Sequence, residues 1–469
     1  MFWSPFSSDQ SALGKPPFHR LIQHIHLNPS QTLALSFAVL IAVGTVLLML
    51  PIATADGQGA HWLDALFTMA SVASTTGLMT VSVAQHYSQF GHVVILCAAQ
   101  AGGLGIMVLS TAFAVLIGGH LPMRQQAKLE EILDVTTAQG LKRLVLAVVM
   151  VTLVCEGIGT LVLFVLWSDL FTSVQERMWW SVFHAVSAFC NIGVCLWDDS
   201  LQGWVDNPWV CAVFGILIRI GSLGFFVIAD VMSSRVWTVF RPQSIWQRLH
   251  PQTKVVLMAM LVLDLLATVT FWFFENTGVL ASLTPFSQWQ ASVFQAITMR
   301  SAGFSSVELQ HLSPPTVLFC AVWMFVGSAP GSAGGGIKVT TAAVALVATR
   351  ALLRGREEAE LFGRRLPSVL VNRSLAVIFM GLGFVMVALI VLAATQPLPL
   401  SAIVFETVSA CGTVGLSMGI TPQLDSFGRL LLVFLMFVGR IGPLTAALTV
   451  GQSDKKPTYH YPSAQIAVG

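Results

Sequence analysis

The sequence predicts an all-α integral membrane protein made of four pseudo-symmetric helix–pore loop–helix (M1-P-M2) repeats, with eight transmembrane helices around a central ion pore. Three observations carry this expectation. The 469 residues are 55% hydrophobic and only 10% charged, with a mean hydropathy of +0.77, whereas about a quarter of a soluble domain is charged. Eight apolar runs, each close to the ~20 residues that cross a bilayer, lie near 31–51, 92–118, 141–167, 208–231, 254–274, 314–349, 374–395 and 426–451. Between the members of each pair lies a shorter amphipathic stretch, at 61–74, 177–190, 288–300 and 400–412, which reads as a re-entrant segment. Irregular backbone at membrane depth is tolerated only where it lines protein or water.

The chain divides accordingly. Residues 1–30 form a polar tail with Lys15 and Arg20 and no apolar signal core. The first repeat spans 31–119. A cytoplasmic loop opens the second, 120–231, and the third spans 232–349. The fourth, 350–451, again begins with a cytoplasmic loop, and 452–469 is a short tail. Of the 24 Lys and Arg, 18 fall in the two tails and in 124–143, 235–254 and 350–373. The positive-inside rule places those segments, and both termini, in the cytoplasm. The outer loops hold mainly acids: Asp56, Asp169, Glu176, Asp198, Asp199, Asp206, Glu275, Glu308 and Asp425. Such an outer mouth concentrates cations, although loop solvation alone accounts for acids in loops. The net charge of +2 gives no reason to expect nucleic acid. Seven cysteines, mostly inside apolar runs and without a CxxC pair, read as small buried hydrophobes.

Each short stretch ends alike: FTMASVASTTGL (67–78), FHAVSAFCNIGV (183–194), VFQAITMRSAGF (293–304) and FETVSACGTVGL (405–416). Ten residues before the glycines stand Phe67, Phe183, Val293 and Phe405, and six before stand Ser71, Ser187, Ile297 and Ser409. Internal repetition of this kind outweighs any single motif. In the first repeat STTGLMTVS (74–82) contains no acid, base or cysteine such as a catalytic centre needs. It offers hydroxyls and carbonyls, which replace the hydration shell of a monovalent cation when set in rings. Glycine permits the backbone angles that turn successive carbonyls one way, and pore-helix C-termini add partial negative charge. The candidate filter is Ser74-Thr75-Thr76-Gly77, Cys190-Asn191-Ile192-Gly193, Arg300-Ser301-Ala302-Gly303 and Gly412-Thr413-Val414-Gly415, with the cation at Thr75, Thr76, Asn191, Ile192, Ser301, Ala302, Thr413 and Val414.

These motifs, with GSAGGGIKVTT and GRIGPLT, resemble the Trk/Ktr/HKT superfamily of potassium-translocating proteins over roughly 31–451, closest to its KtrB branch. The resemblance implies a potassium-type filter, because Gly77 stands where a serine goes with sodium preference. It implies a homodimer in the plasma (inner) membrane, each protomer with its own pore, above a ring of RCK-type nucleotide-binding subunits. With no GxGxxG or Walker sequence in the chain, such a regulator is expected as a separate polypeptide. No covalently bound cofactor is expected; K+, and Na+ if coupling exists, are the ions. Sodium coupling, proton coupling and channel-like flux remain open alternatives, as does a less selective K+/Na+ transporter.

MFVGSAPGSAGGGIKVTT (324–341) holds five glycines and Pro330 where the third repeat's second helix should cross the membrane. Each interior glycine costs a helix about 1 kcal/mol and proline about 3. An intramembrane gating loop over 327–337 is therefore expected, with Gly327, Ser328, Gly331, Ser332, Gly334, Gly335, Gly336 and Lys338 at the gate. The resemblance adds Arg440 to the barrier. The glycines at 102–105, 221–224 and 442 are expected to serve helix packing. Arg300 is expected either to cap its pore helix or to pair with Glu406, and Asp230 to pair with Arg235. Glu156 and Asp264 receive no proton-relay role. An intramembrane enzyme would need a GxSG or GxGD arrangement, which the chain lacks. A non-conducting sensor or scaffold would not require four matched loops.

Overall fold

The computed structural model describes residues 29–105, 138–232, 246–356 and 358–450. Each repeat opens with a long apolar helix: α1 (Pro29–Leu48) in the first. Its pore helix α2 (Trp62–Ala73) and the second helix α3 (Gln89–Leu104) follow. The second repeat has α4 (Ala138–Leu166), pore helix α5 (Val174–Phe189), then α6 (Pro208–Leu223) and α7 (Phe225–Met232). In the third, α8 (Pro251–Glu275) and pore helix α9 (Pro285–Thr298) precede α10 (Pro314–Phe325) and α11 (Val339–Leu353). The fourth has α12 (Ser368–Thr395), pore helix α13 (Leu400–Gly412), α14 (Ser426–Ile441) and α15 (Pro443–Val450). A hairpin, β1 (Glu360–Leu361) with β2 (Arg364–Arg365), lies in the basic loop before α12.

Among the described residues four helices are long and apolar enough to cross a membrane unbroken, and they are the opening helices: Gln31–Leu48, Leu146–Leu166, Pro251–Glu275 and Ser368–Thr395. The second helices differ from the continuous spans read in the sequence. α3 ends at Gly105 (φ +79°), α6 and α7 meet at Gly224 (φ +84°) with a 96° bend, and α14 gives way to α15 at Gly442 (φ +96°). One left-handed residue interrupts the i→i−4 ladder, and a hydropathy run does not register it. The packing role expected of the neighbouring glycines does hold: a Cβ on Gly102 or Gly221 would strike the carbonyl of Ala73 or Phe189 at a pore-helix end. Gly439, unremarked in the sequence, meets Cys411 in the same way.

The first three pore helices begin where side chains cap them, and the fourth follows Pro399 without a side-chain cap. Ser173 accepts from Glu176 N and Thr284 from Ser287 N, so α5 and α9 start three residues earlier than expected. Each opening helix packs along its own pore helix, and each second helix packs against the pore helix of the next repeat: α3 on α5, α6 on α9, α10 on α13, and α14 back on α2. That order closes a ring. The buried core collects inside it, around Phe67, Phe183, Phe304 and Phe405, while Val46, Leu161, Phe273 and Phe379 face outward.

Candidate functional site

The ends of the four pore helices share one backbone conformation. Thr75, Asn191, Ser301 and Thr413 have φ of 54, 53, 61 and 48°, and the glycines two residues on, Gly77, Gly193, Gly303 and Gly415, have 98, 75, 80 and 90°. The residue between each pair keeps negative φ, and this alternation of hand turns successive carbonyls to one side. A non-glycine residue in this region costs roughly 1–2 kcal/mol, so four at matching positions are strain held by the surrounding structure. Backbone bonds hold it: Thr76 N to Ser71 O (2.8 Å), Ile192 N to Ser187 O (3.0 Å) and Val414 N to Ser409 O (2.8 Å).

The glycines meet carbonyls in ring order. A Cβ on Gly77 would collide with Ile192 O, one on Gly193 with Ala302 O, and one on Gly415 with Thr76 O; on Gly303 it would lie 3.1 Å from Val414 O. The four carbonyls of Thr76, Ile192, Ala302 and Val414 thus stand edge to edge around one closed ring. No side chain fits between them.

Side chains behind the strands fix them. Ser71 accepts from Gly77 N (2.9 Å) and Ser409 from Gly415 N (3.1 Å), while Ser187 donates to Val194 O (2.7 Å). In the third repeat the sequence reading counted Val293 and Ile297 at the matching places. The structure corrects this by one residue. Val293 is 45% exposed, whereas Phe294 is buried, and Thr298 donates to Phe304 O (2.7 Å) as Ser187 does to Val194. Ala302 N correspondingly bonds Thr298 O, four residues back rather than five (3.2 Å). One residue fewer separates anchor from glycine, which counting back from the glycine cannot reveal.

The charges nearby are arranged differently from expectation. Arg300 is fully buried and pairs with Asp264 on α8, not with Glu406; Arg219 on α6 shares the same carboxylate oxygen at 2.5 Å. Glu406 instead accepts from Ser417 (2.9 Å) and from Thr421. The reason is position in the ring: Arg300 projects away from the fourth pore helix into the gap between α6 and α8. Asp230 accepts from His250 N (2.9 Å) and Thr253 Oγ1 (2.6 Å), and Arg235 lies outside the described residues. Cys190 points its thiol to Gln100 Oε1 (3.1 Å), whose amide donates to Glu156 (2.6 Å). With the Asn191 amide assigned so that its nitrogen faces these two acceptors, it donates to Ala188 O (3.0 Å) and Ile218 O (3.1 Å), tying its strand to α6. Cys97 is exposed, unlike the buried cysteines expected.

Above the ring a vestibule of about 690 Å³ is bordered by Gly77, Gly193, Gly303 and Gly415 and by Asp198, Asp199 and Glu308. Other outer acids serve structure: Glu275 accepts from Ser313 N (2.9 Å), Asp425 from Gly428 N (2.7 Å) and Asp56 from Gln58 N (3.1 Å). Asp64 joins the first and fourth repeats through Arg429 (2.8 Å).

Below the ring, α10 stops at Phe325 and the chain resumes as a helix only at Val339. The intervening loop closes on itself through Gly327 N to Ile337 O (2.8 Å) and Val339 N to Ser328 O (3.1 Å). It is bonded to the second repeat by Ala329 N to Ser222 O (3.2 Å), Ala333 N to Gly221 O (3.1 Å) and Phe225 N to Gly331 O (3.0 Å). Gly336 N reaches Gly439 O (3.3 Å) in the fourth. Gly334 and Gly335 lie directly against Ser301 and Thr413, where a Cβ would clash. Ser332 donates to Ala329 O (2.6 Å), and Lys338 Nζ donates to Gly334 O (2.7 Å). Arg440 donates to Thr75 Oγ1 (3.0 Å) and to the carbonyls of Ala333 and Gly102.

A ring of four re-entrant hairpins with an outer vestibule and an inner loop defines a membrane transport protein rather than an enzyme. Family comparison agrees: residues 13–458 match the TrkH model, described as cation transport protein. The chain belongs to the TrkH family of cation transport proteins. It is 35% identical to the Ktr system potassium uptake protein B of Bacillus subtilis (strain 168), over 96% of this chain and 99% of that one. The protein of the same description from Vibrio alginolyticus is 37% identical over 93% and 94%. The potassium/sodium uptake protein NtpJ of Enterococcus hirae is 33% identical over 94% and 98%. The crystal structure of the potassium transporter TrkH from Vibrio parahaemolyticus shares the fold, with a TM-score of 0.69 at 18% identity, covering 91% of this chain and 86% of that one.

Proposed function

We propose that this chain is the potassium-translocating membrane subunit of a Ktr/Trk-type uptake system. The observation that carries the reading is the closed ring of Thr76, Ile192, Ala302 and Val414 carbonyls against the four glycines. Carbonyl rings of this kind take the place of an ion's hydration shell. Potassium gathers in the vestibule beside Asp198, Asp199 and Glu308, sheds water at Gly77, Gly193, Gly303 and Gly415, and passes the inner hydroxyls of Thr75, Ser301 and Thr413. Loop 327–337, with Lys338 and Arg440, closes the inner end, and transport follows its withdrawal. The names of the Ktr relatives support potassium as the ion. A cytoplasmic nucleotide-binding ring controls the loop of each protomer in a homodimer, with both termini cytoplasmic.

One glycine per strand means fewer stacked sites than a full potassium-channel filter. A less selective K+/Na+ transporter is therefore the second reading, favoured also by the name of the Enterococcus relative. Both are tested by flux into liposomes holding only the purified protein, with potassium and sodium in competition. Potassium flux that sodium inhibits weakly supports the first reading, and equal inhibition supports the second. No cation flux from protein whose loop 328–335 has been shortened would sink both.

A further inference from the structure

The innermost ring of the pathway is set by the residues two before each glycine: Thr75, Asn191, Ser301 and Thr413. Three of the four touch the loop below. Thr75 Oγ1 donates to Ala333 O (2.9 Å) and accepts from Arg440 Nη1 (3.0 Å). Thr413 Oγ1 accepts from Gly335 N (3.0 Å). Ser301 packs its Cβ against Gly334 while its hydroxyl donates to Gly412 O (3.2 Å). Asn191 takes no part, its amide being held by the scaffold. The closed loop therefore presents the Gly335 N–H to Thr413 Oγ1 and the Ala333 carbonyl to the Thr75 hydroxyl, and the same carbonyl holds the Arg440 guanidinium of α14 against Thr75 Oγ1, an oxygen that a cation at this level would need.

We infer that the closed loop and a potassium ion at the innermost ring compete for the Thr75 and Thr413 hydroxyl oxygens, so that ion occupancy and loop release promote each other. The inference rests on the filter and gate reading above and adds a regulatory link between them. Thr413 Oγ1 has lost one of its two lone pairs to the loop's Gly335 N–H, and Thr75 Oγ1 one to the Arg440 guanidinium, which the loop's Ala333 carbonyl holds in place. Arg440, within hydrogen-bond reach of the ring, also repels a cation placed there. Ligands that disfavour each other do so reciprocally: whatever frees the loop raises ion affinity at this ring by the same factor by which the ion favours release. A cytoplasmic partner that binds the released loop thus strengthens inner-ring binding without touching the filter.

The test uses the full-length protein in bilayer nanodiscs, with potassium varied against N-methyl-D-glucamine at constant ionic strength. Two quantities are read: the thermal midpoint, which reports binding to the folded state, and hydrogen exchange at the Gly335 and Gly336 amides, which reports loop opening. Potassium should raise the midpoint and speed exchange at both amides by about fivefold or more, the lower end of usual coupling. Thr413→Val removes the acceptor of Gly335 and should speed exchange without potassium while shrinking the potassium effect to less than about twofold. Arg440→Gln should shrink it likewise and serves if the first variant does not fold. A raised midpoint with unchanged or slower exchange overturns the competition and leaves the filter reading intact. An unchanged midpoint with unchanged exchange overturns both.

Discussion

At the level of the glycines four strands repeat one conformation, with φ between 48 and 61° at Thr75, Asn191, Ser301 and Thr413. Immediately below, one segment from the third repeat does what no counterpart among the described residues of the others does. The first, second and fourth second helices turn at single glycines, 105, 224 and 442, while the third opens into a loop bonded to its neighbours through Ser222, Thr413, Gly439 and Arg440. Under the proposed function the difference divides the work. An ion on an axis is recognised best by a symmetric cage, because equal oxygens from all sides replace its water shell. A gate needs only one movable element, and one loop can be released without disturbing the cage. Asymmetry below the ring is thus compatible with selectivity above it.

The comparison can be broken first at its scaffold. Asp264→Asn leaves Arg219 and Arg300 buried without their carboxylate, so a loss of about 3–5 kcal/mol is expected in thermal unfolding. A double-mutant cycle should show coupling for Arg300 with Asp264 and none for Arg300 with Glu406. Coupling to Glu406 would mean that α9 sits differently in the ring.

Arg440→Gln bears on the asymmetric half alone. Three charge-assisted bonds to the loop, to Thr75 and to Gly102 disappear, each worth about 1.5–3 kcal/mol. Liposome flux should rise about tenfold, the effect of ~1.4 kcal/mol, with the potassium-to-sodium ratio unchanged. A changed ratio at constant flux would move Arg440 from gate to filter.

Gly77→Ser should do the reverse. Its φ of +98° and the collision of a Cβ with Ile192 O set a strain of roughly 1–2 kcal/mol on the symmetric half. Competition uptake should show weaker potassium preference and greater sodium acceptance. Relative affinities equal to those of the unmodified protein would argue against the ring as the selective element.

The smallest effect sharpens the register of the third strand. Thr298→Val removes the bond to Phe304 O and should cost about 0.5–1.5 kcal/mol in unfolding, with a measurable loss of selectivity. Ile297→Ala should leave selectivity as it was. The opposite pattern would restore the glycine-counted register.

Much of this plan is legible in the residues. TTGL, NIGV, SAGF and TVGL at nearly constant spacing announce four equivalent strands, and the glycine-rich 324–341 announces a helix that cannot continue. What misleads is counting at fixed offset: Val293 and Ile297 fall where Phe and Ser belong, because nothing local marks the missing residue between Thr298 and Gly303. Pairing misleads equally. Glu406 is the natural partner of Arg300 in a reading that places pore helices side by side, and Asp264, 36 residues earlier, carries no motif.

The sequence by itself determined composition, the four opening spans, the four-fold repeat and the interrupted helix, because each follows from local hydropathy, propensity and periodicity. Tertiary structure alone decided which carbonyl meets which glycine, that Arg219 and Arg300 share Asp264, and that the loop lies on Thr75 and Thr413. Those contacts join residues up to 365 positions apart, as in Arg440 with Thr75. They exist only because each second helix packs on the pore helix of the next repeat until α14 closes the ring on α2.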